Sequence, residues 1–465
     1  MSPAGAQAAA GLDLGFNDER LSQNSTEAEI AQAMPRAREA GATWWRAELR
    51  WSRIAPTQPP TTADARNPAW AGYDWRLTDR VVRNAAASGL QVLPYVRLAP
   101  AWAEGAKRPA VSRLVPAGTW RPSPSALDAF ATALAKRYSG RFPDPLTPGA
   151  NLPRIRWFQA WNEPNLYTDL TPQWKRSRGE WVPASPDHYR RLANAFYSGV
   201  KRGQSGAKVL SAGTGPFGDL NDGDPRMPPV RFWRELLCVR DGKVPRATKC
   251  RKSVRFDAVA HQPYPIGPPR RTARNKDDAV VPDVRKITRL LPAATRAGTL
   301  RPKTKKPLWI TEYAWESTPD PDGVSLNEQA QYLQASLYVL WQQGARVITW
   351  WQLRDEAPTP AFNATFQSGI FLRGATPAQD EPKPAYTAFR FPFTAYRTNG
   401  VARLWGKTPG NRSVTIEARQ GGRWVTAARL RAGSNRIFTG RLRVGPNTPL
   451  RAVSGTDISL TWRTQ

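Results

Sequence analysis

Short apolar runs alternate along most of the chain with longer stretches whose apolar positions recur every three or four residues. The runs cover residues 11–16, 43–51, 91–98, 155–161, 208–212, 256–261, 307–311 and 346–351. Runs of this length read as strands, and the longer amphipathic stretches as helices. Helix starts carry their own chemistry. Thr26 with Glu29 and Ser325 with Glu328 form capping boxes. Ser125 with Asp128 opens a third helix, and Ser185 followed by Pro186 a fourth. Strands alternating with helices predict parallel strands joined by right-handed crossovers. Eight such units predict a closed (β/α)8 barrel, with an open doubly wound sheet as the alternative. No G-x-G-x-x-G turn follows the first run, which weighs against a dinucleotide-binding sheet.

The pattern changes near Phe393. Beyond it the sequence predicts short strands over 413–419, 424–430 and 458–462, divided by turns such as Gln420-Gly421-Gly422, Gly433-Ser434-Asn435 and Gly445-Pro446-Asn447. Regular short strands with turn signals predict a small β-sandwich. The expected class is therefore α/β: a (β/α)8 TIM barrel over 1–393 and an all-β sandwich domain over 394–465. From 395 onward, 13 Lys and Arg stand against two acids, Glu417 and Asp457. Such a domain serves either as a carbohydrate-binding module or as a lid packed on the barrel, and the second is the plainer reading.

Composition narrows the function. With 40% hydrophobic and 23% charged residues, a chain of 465 residues is neither disordered nor fibrous. No stretch approaches the roughly 18 apolar residues of a membrane span. The net charge of +31 favours polyanions. The basic residues are spread out, however, with no run or nucleic-acid motif, so solvated surface charge is expected and no specific nucleic-acid partner. Cys238 and Cys250 are the only cysteines, and His188 and His261 the only histidines, too few for a zinc site; no metal and no cofactor are expected. A disulfide closing one surface loop is the preferred reading of the cysteines, worth about 3 kcal/mol by loop closure, and two buried thiols the other. A bridge implies an oxidising compartment. The Ala-rich start over residues 1–10 shows no basic or apolar signal region, so a secreted chain is expected whose signal segment is not part of this sequence. Twenty Trp supply flat faces of the kind a sugar cleft uses, although most are expected in the core.

Active faces of such barrels are built where strands end. The fourth run ends in Trp161-Asn162-Glu163-Pro164-Asn165 and the seventh in Ile310-Thr311-Glu312-Tyr313, each placing a Glu where an apolar strand stops. A lone Glu after a strand is usually a solvated loop residue; two on strands four and seven, beside aromatic residues, suit glycosidic cleavage. That reaction needs one protonated carboxyl for the departing oxygen and one ionised carboxyl for the anomeric carbon or a water.

These two segments resemble glycoside hydrolase clan A, the retaining barrels with acid/base and nucleophile on strands four and seven, and within it the family 39 and family 5 type. The resemblance covers roughly residues 11–393. It implies that Glu163 is the acid/base and Glu312 the nucleophile of a double displacement on an oligo- or polysaccharide. By the same likeness Asn162 would bond the sugar 2-hydroxyl, and Arg46 would keep the nucleophile ionised, Arg50 being the other candidate on that strand. His261 and Tyr264 would match a sixth-strand His and Tyr, with Tyr264 bonding the nucleophile; two residues separate them here, where much of the clan has one. Trp350 resembles the Trp that floors the sugar subsite. Alternation lets only one of Trp350 and Trp351 face the lumen, and Asp355 at its family 39-like spacing favours Trp350. Trp102 and Trp315 are further stacking candidates. A catalytically inactive carbohydrate-binding barrel is the alternative from another class. The loops at 105–119, 168–183 and 266–283 would decide between a closed pocket and an open cleft.

Overall fold

The computed structural model describes residues 8–464 apart from 249, 251, 361, 363 and 364, so residues 1–7 of the Ala-rich start lie outside the described residues. Eight parallel strands close into a barrel: β1 (Asp13–Asn17), β2 (Trp44–Arg50), β3 (Gln91–Arg97), β4 (Trp157–Gln159), β5 (Lys208–Thr214), β6 (Ala258–His261), β7 (Leu308–Ile310) and β8 (Ala345–Trp351). Each apolar run of the sequence overlaps one of them. The principal helices follow in turn: α1 (Glu27–Glu39), α2 (Arg76–Ala87), α3 (Pro124–Arg137), α4 (Ser185–Gly203), α5 (Pro229–Leu237), α6 (Leu291–Ala297), α7 (Leu326–Gln342) and α8 (Pro384–Arg390).

The capping boxes form at Thr26 and Ser325, where each hydroxyl accepts from the backbone N–H of the Glu three residues on. The cap of α3 is Ser123 rather than Ser125, because Pro124, with no N–H to satisfy, takes the first helical position.

Alternate strand residues sort into two layers. Trp44, Leu93, Leu210, Ala258, Ala260, Trp309 and Val347 form a compact inner cluster filling the lumen, where Trp309 packs against Trp44 and Trp157 with ring centroids 4.8 Å apart in both pairs. Their strand neighbours, such as Trp45, Val92, Val209, Val259, Ile310 and Ile348, belong to the larger cluster shared with the helices. This parity fixes which side chains reach the mouth of the barrel.

The C-terminal β-domain has two sheets. One pairs β9 (Phe393–Thr398), β10 (Val401–Lys407) and β13 (Ile437–Arg443). The other runs β12 (Arg423–Arg431), β11 (Ser413–Gln420), β14 (Pro449–Ser454) and β15 (Asp457–Ile458), with β16 (Trp462–Arg463) also on β14. The strand expected over 458–462 is thus two short pieces, interrupted at 459–461. The domain sits directly on α7: Ala335 belongs to its core, and Tyr338 packs on Tyr396 and Trp405 with centroids 5.4 and 5.5 Å away. Cys238 and Cys250 are disulfide-bonded, their Cα atoms 5.6 Å apart. No helix among the described residues is long and apolar enough to cross a membrane.

Candidate active site

The Trp-Asn-Glu-Pro-Asn segment leaves β4 through two left-handed non-glycine residues, Trp161 at φ 75° and Glu163 at φ 25°. Such conformations cost about 1–3 kcal/mol each and persist only where their surroundings over-determine them. Here they do. Trp161 Nε1 donates to Asp169 O (2.9 Å), and Pro164 O accepts from Gln173 Nε2 (3.0 Å). Asn165 donates to Met227 O (3.0 Å) and accepts from the N–H of Gly215 (2.9 Å). A Cβ at Gly215 would stand 2.9 Å from Glu163 Oε1, so glycine there leaves room for the carboxyl.

Glu312, just past β7, accepts from Arg46 Nη1 (2.8 Å), the Tyr264 hydroxyl (2.8 Å) and Asn17 Nδ2 (3.0 Å). Arg46 is fully buried, donates to Gln159 (2.9 Å) and Asn162 Oδ1 (2.8 Å), and lies with its guanidinium 3.6 Å from the Tyr95 ring centroid. It therefore joins the residue next to Glu163 directly to Glu312. Arg50 takes no part in this contact; it is 41% exposed and pairs with Glu48 at 2.9 Å.

The two carboxyls differ in surroundings. Burial pushes the Glu163 carboxyl well above the usual carboxylate range, with the charges of Glu312 and Asp169 adding to it. Burial also raises Glu312, to about 7, against the pull of Arg46 and Tyr264. The pair titrates together, and the member with three donors around it ionises first. Gln262 stands against the other member: its amide nitrogen donates to Glu163 Oε1 (2.6 Å) while its oxygen accepts from Arg46 Nη2 (3.1 Å).

Further acids crowd the mouth. Asp169 pairs with Arg97 (2.9 Å), Glu48 faces Arg50 and Arg97, and Glu19 accepts from the Tyr95 hydroxyl. The mouth of this basic chain is thus rich in carboxyls. Among the described residues, no group of three or more His, Cys, Asp and Glu side chains is arranged to hold a metal ion.

Solved structures share this architecture. A family 39 glycoside hydrolase from the gut symbiont Bacteroides cellulosilyticus superposes with a TM-score of 0.54 at 17% identity, over 92% of this chain and 79% of that one. The family 39 enzyme from Xanthomonas axonopodis pv. citri gives 0.50 at 15% identity, over 94% of each chain. A glucosidase from Croceicoccus marinus gives 0.51 at 14% identity, over 99% of this chain and 97% of that one. What is shared is the fold. No protein-family model and no curated protein matches the chain.

Four of the side chains read from the sequence as lining the site stand elsewhere. His261 is an outward-facing residue of β6, fully buried behind the lumen; its Nε2–H donates to Ala279 O (2.7 Å) and its Nδ1 pairs with the Thr214 hydroxyl (2.9 Å). The lumen-facing residues of this strand are Ala258 and Ala260, so the next inward position falls to Gln262. Trp350 is outward too, buried with its N–H on Ser368 O (2.7 Å) and stacked near Trp315 at 6.2 Å. Trp351 shares the inner parity of Val347 and lies beside Asn17 in the β1–β8 ladder. Asp355, whose spacing pointed to Trp350, is itself buried in a pair with Lys383 (2.7 Å). Trp315 is buried, its N–H on Gly267 O (2.9 Å). Trp102 packs edge-on to Trp51 and donates to Ala55 O (2.9 Å). Sequence reading missed Asn17, Gln262 and Trp351. Each is fixed by strand parity, which the structure shows and the short strands do not reveal in the sequence.

Proposed function

We propose that the chain is a retaining glycoside hydrolase that cleaves a glycan or oligosaccharide by double displacement. One observation carries this reading: two strand-end carboxyls linked through Arg46 occupy opposite electrostatic settings, Glu312 ion-paired among three donors and Glu163, its pKa raised by burial, with no ion pair among the described residues. A binding protein gains nothing from keeping one acid neutral beside one that is ionised.

In the first step an oxygen of Glu312 attacks C1, the bond from C1 to the aglycone oxygen breaks, and the Glu163 proton goes to that oxygen. In the second, Glu163 takes a proton from water, whose oxygen attacks C1 and releases Glu312 as carboxylate. Gln262 stays within reach of Glu163 through both steps, its amide nitrogen donating to the carboxylate that the first step leaves. Arg46 and Tyr264 hold the charge of Glu312 between turnovers. Asn162 has its oxygen engaged by Arg46, and its Nδ2 makes only a 3.3 Å contact with Asp169, which leaves that donor for a sugar hydroxyl. Trp351, part-exposed and with its indole N–H unpartnered among the described residues, replaces Trp350 as the aromatic floor. The disulfide supports an exported protein.

The test is a screen of aryl glycosides and polysaccharides, with proton NMR of the first-formed anomer on any hit. Retention is expected. Inversion overturns double displacement, and hydrolysis undiminished in a Glu163→Gln, Glu312→Gln double variant overturns the site.

A further inference from the structure

A cavity of about 780 Å³ opens where the loop after β6 and the upper part of α7 meet the C-terminal domain. A volume of this order accommodates a short oligosaccharide. Its walls combine aromatic surface with unopposed positive charge. Tyr332, Tyr396, Trp424 and Trp462 line it together with Arg270, Arg419 and Arg463, and among the described residues no Asp or Glu does. All three arginines are exposed, and none of them makes an ion pair among the described residues. The reason lies in the composition of the domain: its two acids are already taken, Glu417 by Arg451 (2.7 Å) and Asp457 by Arg390 (2.9 Å). The aromatic groups are held in place. The Arg270 guanidinium lies 3.8 Å from the centroid of the Tyr396 ring, Tyr396 packs edge-on to Trp462 at 5.1 Å, and Arg451, which does not line the cavity, covers one side of Trp424 at 4.3 Å.

We infer that this seam is a binding site for an acidic saccharide, a segment of pyranose rings bearing carboxylate or sulfate groups. Flat rings accept the apolar faces of sugars, and guanidinium forks match carboxylate and sulfate oxygens. A neutral glycan would leave three guanidiniums unmatched. The choice of a saccharide over another anion rests on the glycosidase reading and on one structural link: Tyr264, bonded to Glu312, and Arg270, at the cavity, belong to the same loop.

Calorimetric titration of the full chain with tetragalacturonate, a heparin-derived tetrasaccharide, cellotetraose and a thymidine tetranucleotide tests this. Binding of either acidic tetrasaccharide is expected, the tighter one naming the anionic group, with cellotetraose at least about tenfold weaker. Trp424→Ala, and Arg419→Ser with Arg463→Ser, should each weaken that binding by about tenfold or more and leave kcat/KM on a small aryl glycoside unchanged. Lys303→Ser with Lys305→Ser, exposed residues of the segment before β7, should leave binding unchanged. Equal affinity for cellotetraose, equal losses in the remote lysine pair, or a tetranucleotide that binds as tightly and is lost with the same variants would each overturn the inference. The readout is binding, so the two readings separate: a chain that holds the acidic probe yet hydrolyses no glycoside loses its proposed activity and keeps this site.

Discussion

His261 and Gln262 are neighbours in the chain, as are Trp350 and Trp351, yet each pair is divided between the two faces of the barrel wall. Gln262 stands against the Glu163 carboxyl and Trp351 shares the parity of the lumen residue Val347, while His261 and Trp350 point into the packing between barrel and helices. The residue types richest in chemistry, an imidazole and an indole, fall on the structural side in both pairs where the sequence suggested the opposite. A side chain's role here follows from its pleat position before its identity. On the outer face an imidazole is one more hydrogen-bonded core group; on the inner face a plain amide stands against a carboxyl that must change its proton.

The sharpest way to break this contrast is at the inner carboxyls. Glu163→Gln should lower kcat by about 10²–10⁴-fold with stability within about 1 kcal/mol of the parent. Glu312→Gln should lower it at least as far and cost about 3–5 kcal/mol of stability, because the buried Arg46 guanidinium loses its carboxylate. Denaturant titration beside an aryl glycoside assay checks both halves. Azide added to Glu312→Gly should restore turnover and give a glycosyl azide of inverted anomeric configuration; no rescue would reverse the assigned roles. Next come the paired indoles. Trp350→Ala should cost about 3–5 kcal/mol of stability by emptying a packed site, whereas Trp351→Ala should spare stability and raise KM. The opposite outcome would invert the parity assignment. Gln262→Ala should lower kcat by about 10- to 100-fold through a misplaced acid/base. The smallest effect concerns pH. Cleavage needs Glu312 ionised and Glu163 protonated, so the rate should climb as pH passes through about 7 and fall at higher pH as Glu163 loses its proton. His261, held down at about 4 by burial, stays neutral across that range, and His261→Gln should leave both limbs where they are.

The barrel was legible because its rule is simple: runs short enough for strands, separated by stretches long enough for helices and opened by capping residues. Glu163 and Glu312 were legible because a carboxyl closing an apolar aromatic run is conspicuous. Arg46 and Tyr264 came with the resemblance, and the structure puts both in contact with Glu312. Parity was not legible. β4, β6 and β7 span only three or four residues, and the β5–β6 ladder shifts register, so counting from a strand's end gives no secure face. Asn17 carries no mark in the sequence that distinguishes it from any polar residue after a strand. The strands at β9 and β10 escaped notice for another reason. Their buried face includes small residues, Ala395 and Ala402, and Arg397 and Arg403 interrupt them, so the alternation is faint.

Only Phe391 and Pro392 separate the end of α8 from β9, and α7 lends Ala335 to one core while Tyr338 and Trp341 abut Trp405 on the other. A joint this short has no slack. Exchanging the C-terminal module for another, in the manner of domains strung on tethers, would lay bare the aromatic flank of α7 and should yield insoluble barrels rather than retargeted ones. Any change of specificity in this architecture has to be made by rewriting surfaces in place.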